Sequence, residues 1–177
     1  MVALAAWTER PAAADVHEIA ESATADCDAI DAWIEAPQPD ATVVLDVVAM
    51  PVSPRYPTAL QTSNADGGLW EGTKWGLLFR NGASPFSVIV PKEVRDRVFI
   101  WDWGTETNTW EVHVPGCERT EEWIDNWLIF GGGVVVREPE CVPLRVTRGS
   151  QVEKVMIGIG APCPGQDPPP EPIGPNP

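Results

Sequence analysis

The sequence predicts an all-β protein: an antiparallel, immunoglobulin-like β-sandwich, preceded by a short helical or extended acidic segment and followed by a Pro-rich C-terminal tail. Three observations predict it. About ten short runs of β-branched and aromatic residues follow one another after Pro39, each closed by Gly, Pro, Asn or Asp. No helical period separates these runs, which argues for antiparallel pairing over a βαβ arrangement. Four cysteines stand far apart in a chain of 177 residues, with no C-x-x-C pair among them. That length suits one domain with a full core and is short for two. The natural division is an acidic segment over residues 1–40, a sandwich over 41–163 and a tail over 164–177.

The N-terminal segment differs in texture from the body. Ten acids and a single base, Arg10, lie between Met1 and Asp46, out of 26 acids and 12 bases in the whole chain. Val16, Ile19, Ala20, Ala23, Cys27, Ile30, Trp33 and Ile34 recur in steps of three and four, the spacing of one helical face. Pro11 suits a helix start and Pro37 a stop, so a helix, whole or broken, is expected between Ala12 and Glu35. Ser22, Thr24 and Asp26 are weak helix formers and leave an extended arm as the alternative. Met1–Trp7 is apolar but lacks the basic flank and apolar length of a signal peptide. No stretch reaches the roughly 18 apolar residues that span a bilayer.

Candidate strands are Thr42–Met50, Thr58–Thr62, Lys74–Phe79, Phe86–Val90, Val98–Trp103, Thr109–Val114, Trp127–Phe130, Val134–Arg137, Val142–Thr147 and Gln151–Ile159. Alternation is clear at Leu144 and Val146. It slips by one within Val152, Val155, Ile157 and Ile159, as a bulge or a strand start would require. Pro91, ahead of Lys92-Glu93-Val94, predicts one helical turn between strands. Gly131-Gly132-Gly133 reads as a tight hairpin connection. From Pro162 the chain is dominated by Pro and Gly, a composition for a polyproline-II linker or a loose end.

Cys27, Cys117, Cys141 and Cys163 have only His17 and His113 as companions for a metal site, which is poor material for zinc. An even count at wide spacing favours two disulfides and an oxidising compartment. Of the three possible pairings we expect Cys117–Cys141, with Cys27–Cys163 tying the N-terminal segment to the end of the last strand. The formal charge of −14 repels phosphate backbones and anionic lipid, which argues against nucleic acid and membrane surfaces as partners.

The stretch from about Trp75 to Cys163 resembles a group of small exported, often lipoprotein-like domains of high-GC Gram-positive bacteria. The likeness rests on Val90-Pro91 with the turn ending Arg95-Asp96-Arg97, on Val114-Pro115-Gly116-Cys117, and on Trp127 leading into Gly132-Gly133. It closes with Pro139-Glu140-Cys141-Val142-Pro143-Leu144 and Gly158-Ile159-Gly160 before Cys163. That group carries no assigned activity, so the resemblance implies export and an all-β fold and assigns no functional residue. Here an acidic segment and a Pro-rich tail flank the body in place of the group's N-terminal anchor.

No catalytic constellation is legible. There is no G-x-S-x-G, His17 sits on the acidic segment, and His113 between Val112 and Val114 points outward from a strand. Asp102, Glu106 and Glu111 flank one expected hairpin beside Trp101, Trp103 and Trp110, but carboxylates on a hairpin are ordinarily solvated. Asn64-Ala65-Asp66-Gly67-Gly68 has oxygen ligands but no EF-hand spacing, and reads equally as a turn. The nine tryptophans are the one compositional oddity. Trp101 and Trp103 share a strand face by the period of two, and Trp110 lies across the hairpin, so the three form either core packing or a stacking platform. The expectation is a non-enzymatic, cofactor-free domain outside the cell or at its surface, which binds a protein partner or assembles with itself. The alternative is a carbohydrate-binding module using Trp101, Trp103 and Trp110.

Overall fold

The computed structural model describes residues 18–65, 69–120 and 126–170, and these form an all-β body with mostly antiparallel pairing. Sheet A is ordered β1 (Ile19–Ala20), β11 (Asn108–Thr109), β10 (Val98–Asp102), β14 (Gly132–Val136), β7 (Trp70–Gly72) and β6 (Ser63–Ala65). Sheet B is ordered β16 (Gln151–Ile159), β15 (Glu140–Arg148), β9 (Phe86–Ile89), β12 (Glu111–Val114) and β2 (Ala23–Thr24). Sheet C is ordered β3 (Ala32–Ile34), β13 (Trp127–Phe130), β8 (Leu77–Arg80), β5 (Val48–Met50) and β4 (Thr42–Val44).

The inward side chains of all three sheets meet in one core. Ile100 and Val136 enter it from sheet A, Val112, Leu144 and Ile157 from sheet B, and Phe79, Leu128 and Phe130 from sheet C. Each such side chain contributes about 1.5–3 kcal/mol of burial. Phe79 and Phe130 stack at 4.9 Å between ring centroids. Along β12 the alternation is strict: Val112 and Val114 are buried, while Glu111 and His113 face outward. Pro143 sits within β15 because its nitrogen faces away from β16 at a point where β9 no longer runs alongside.

Chain segments change sheets at corners, and these corners correct several expectations. Gly131–Gly133 makes no hairpin, because β13 belongs to sheet C and β14 to sheet A. The glycines serve a close main-chain approach: Gly132 has φ of 123°, and a Cβ on Gly133 would lie 1.7 Å from the Thr73 carbonyl oxygen. The strand expected over Thr42–Met50 is a hairpin of β4 and β5, since Leu45 and Asp46 adopt φ of 48° and 58° and reverse the chain. Thr58–Thr62 forms only isolated bridges, Thr58 to Asp167 and Leu60 to Ile159. The pattern slip near Lys154 is no bulge, for β15 and β16 pair in unbroken register. Gln151–Lys154 are all exposed, so the start of that strand has no buried face to mark. The turn after Pro91 forms as expected, at Lys92–Val94.

The helix expected between Ala12 and Glu35 does not form over its described part, and Ala12–His17 lie outside the described residues. Residues 18–34 run as β1, β2, a single 3-10 turn at Cys27–Ala29, and β3. Asp26 caps that turn by accepting from the Asp28 amide at 2.9 Å. The helical spacing of the apolar residues is overridden because each short strand finds an open sheet edge: β1 pairs with β11, β2 with β12 and β3 with β13. One segment therefore closes an edge of every sheet, an arrangement that removes unpaired main-chain groups.

The cysteine pairing also differs from expectation: the bridges are Cys27–Cys117 and Cys141–Cys163. The β2–β12 pairing carries the chain to Cys27 beside the exit of β12, three residues before Cys117. Cys141 lies opposite Gly158 in the terminal hairpin, and the turn at Gly160 brings Cys163 back over it. Beyond that bridge the tail is held as far as Pro170. The Ala59 amide donates to the Asp167 carbonyl at 2.9 Å, the Asp167 amide to Pro57 at 2.8 Å, and Gln61 Nε2 to the Pro170 carbonyl at 2.6 Å. The connection from β3 to β4 must pass between opposite edges of sheet C, and Ala41 near its end packs with Ala49, Leu78 and Trp127 in a second small cluster.

Candidate functional site

The three tryptophans do not form one exposed surface. Trp103 is 1% exposed and lies in the core, its Nε1 donating to the Trp75 carbonyl at 2.8 Å. The period-of-two argument fails because Asp102 and Trp103 take φ of 60° and 58°, which swings the Trp103 ring inward at the end of β10. Trp101 is half-buried, with Nε1 reaching the Thr73 carbonyl at 3.4 Å. Trp110, between β11 and β12, is covered by the Arg95 guanidinium 5.3 Å from its ring centroid, and Arg95 is itself paired with Glu21 on the N-terminal segment. These rings fasten the corners of the fold.

The carboxylates expected on one hairpin are divided, since Asp102 ends β10 in sheet A and Glu111 opens β12 in sheet B. Of the oxygen-rich loop, Asn64 and Ala65 lie in β6, and Asp66–Gly68 are outside the described residues. Among the described residues no group of His, Cys, Asp and Glu could hold a metal ion. No helix there is long and apolar enough to cross a membrane.

His113 does have a hydroxyl neighbour. Ser87 stands opposite it on β9, with Oγ 3.3 Å from Nδ1. The pair opens into a cleft of about 730 Å³, lined also by Ser84, Thr147, Arg148 and Ser150. Arg148 is tied to Ser84 Oγ at 2.7 Å and to the Leu45 carbonyl at 2.9 Å. Among the described residues no carboxylate bonds to His113, so the third group that orients a catalytic imidazole is missing from the arrangement. Ser87 also projects from mid-strand and is 7% exposed.

The feature that sequence reasoning missed is the edge of sheet B. β16 has nine residues, whereas the other edge strands have two or three. Its far half is sealed: the Ser53 amide donates to the Met156 carbonyl at 2.9 Å, Leu60 to Gly158 at 2.8 Å, and Gly160 to Leu60 at 2.8 Å. Those contacts identify the even-numbered residues as the ones whose main chain faces away from β15. In the near half these are Val152 and Lys154, whose outward amides and carbonyls meet no neighbouring strand among the described residues. Val152 is 64% exposed. Across the hairpin, Val152 stands opposite Thr147 and Lys154 opposite Arg145. Sequence marked the strand, but only the topology places it at an edge.

Fold and site together define a class: a disulfide-clamped, three-sheet β domain with one long edge strand, β16, half of which has no strand beside it among the described residues. Comparison with known proteins finds no matching family model, no matching curated protein and no matching solved structure.

Proposed function

We propose that this chain is a non-catalytic interaction domain working outside the cytosol, at or beyond the cell surface, and that it takes up an extended segment of a partner protein along the open half of β16. The observation that carries this reading is the pair of outward-facing main-chain stations at Val152 and Lys154 on the longest edge strand. An unpaired edge is a template for an added strand, with main-chain hydrogen bonds supplying affinity and alternate side chains supplying selectivity. Two disulfides favour an oxidising compartment. We take the body as immunoglobulin-like in its layered, antiparallel architecture. The Ser87–His113 contact is read as a part-buried structural hydrogen bond.

The test uses the oxidised full chain and a blocked seven-residue peptide of β-branched residues with a central glutamine. Amide resonances of Val152 and Lys154 should shift and become protected from exchange. A peptide N-methylated at alternate amides, which cannot complete the ladder, should do neither. If the unmethylated peptide leaves those resonances unmoved at millimolar concentration, the strand-addition reading is wrong.

A further inference from the structure

We infer that the segment taken up on β16 carries a carboxylate two residues from an apolar side chain, the carboxylate meeting Lys154 and the apolar group meeting Val152. This rests on the strand-addition reading above and names the chemistry of the partner. In a chain of net charge −14, Arg145 and Lys154 are both exposed and stand directly opposite each other on the outer face of sheet B. Like charges in that position oppose pairing. Arg145 is relieved by Glu93 at 3.5 Å, whereas Lys154 has no carboxylate partner among the described residues. Glu153, its neighbour in sequence, points to the other face by the alternation of the strand. A strand added beside Val152 and Lys154 would place its own residues directly across from these two, on the same face. A carboxylate there completes a row with Lys154 and Arg145, and an apolar residue two positions away covers the exposed Val152.

A second copy paired through its own β16 does not supply that pattern. Two-fold antiparallel pairing of β16 with itself matches even residues with even, because only they present main-chain groups outward. Lys154 would then face Ser150, Val152, Lys154 or Met156 of the other copy, and Glu153 only odd-numbered residues. No such register brings Glu153 to Lys154. Self-pairing of β16 is therefore set aside, and the proposal commits to an extended segment of a partner protein as the occupant.

The test compares three blocked seven-residue peptides of one β-branched frame, with glutamate, glutamine or lysine at the centre and isoleucine two residues away, titrated onto the oxidised full chain at low salt. The glutamate peptide should bind about fivefold more tightly than the lysine peptide, and the preference should shrink in high salt. Lys154→Glu should reverse the order of the glutamate and lysine peptides. Equal binding of all three peptides would overturn the charge assignment and leave strand addition standing. Binding of none would overturn strand addition itself. Light scattering that reports a dimer lost in Lys154→Glu would overturn the assignment to a different protein.

Discussion

The indole nitrogen of Trp103 and the carbonyl oxygen of Trp75 are joined by a 2.8 Å hydrogen bond inside the core. It lets a polar group be buried without loss and fixes the corner where β10 ends. Trp103→Phe removes the donor, leaves that carbonyl unpaired and opens space in the core. It should cost about 2–4 kcal/mol in denaturant unfolding. Trp33→Ala, at a ring that is 43% exposed, should cost about 1 kcal/mol or less. If the two variants lose equal stability, this account of Trp103 is mistaken.

The two bridges should act on different parts of the chain. Cys27–Cys117 closes 90 residues and Cys141–Cys163 closes 22. On the chain-entropy model their removal costs about 4–5 and about 3 kcal/mol respectively. Replacing the first pair by alanine should raise amide exchange at Ala25 and Trp110, which bond to His113 and Ala20. Replacing the second pair should raise it at Ala59 and Asp167. Uniform loss of protection in both variants would count against local clamping. In the native protein, thiol titration should find no reactive cysteine.

Asp46 is exposed, yet its φ of 58° makes it sensitive to substitution. Asp46→Val should destabilise by about 1–2 kcal/mol, since a β-branched residue resists the left-handed region. Asp46→Asn should stay within about 0.5 kcal/mol. Matched melting midpoints for the two variants would contradict the turn geometry.

Tyr56 is the only tyrosine, so tyrosinate absorbance reports it alone. Burial, and then the nearby Asp40 carboxylate, raise its phenol above the ordinary value of 10.0. Both act against the charged form, so the folded state holds the proton more tightly than the unfolded state. The resulting stability is fully present below the unfolded value and is lost as pH rises through the folded one. Absorbance titration of the native chain should therefore show a midpoint above that of the denatured chain. Asp40→Asn should bring the native midpoint closer to it.

His113 offers a test of the proposal that this domain is non-catalytic. Hydrolysis of an activated ester by the full chain should equal that by His113→Ala and by Ser87→Ala. A rate that falls in both variants would assign the cleft to chemistry.

Strand content was legible because β-branched runs between turn residues need no knowledge of partners, and Trp127–Phe130 and Gln151–Ile159 form at their expected bounds. Trp103 was not legible, for its inward turn depends on two left-handed residues that no periodicity marks. The open edge was hidden as well. Val152 and Lys154 look like an ordinary strand start until Ser53 and Leu60 are seen to seal the other half of β16, with no such partner for these two among the described residues.

Sequence alone determined that this chain folds as β structure and that its cysteines have each other rather than metal for company, because local propensity and composition act over a few residues. Tertiary structure decided which cysteine meets which, where residues 18–34 go, and which strand among the described residues is left long at a sheet edge. Those outcomes depend on main-chain groups brought together across long stretches of chain, where pairing at an edge outweighs the helical spacing written into the segment.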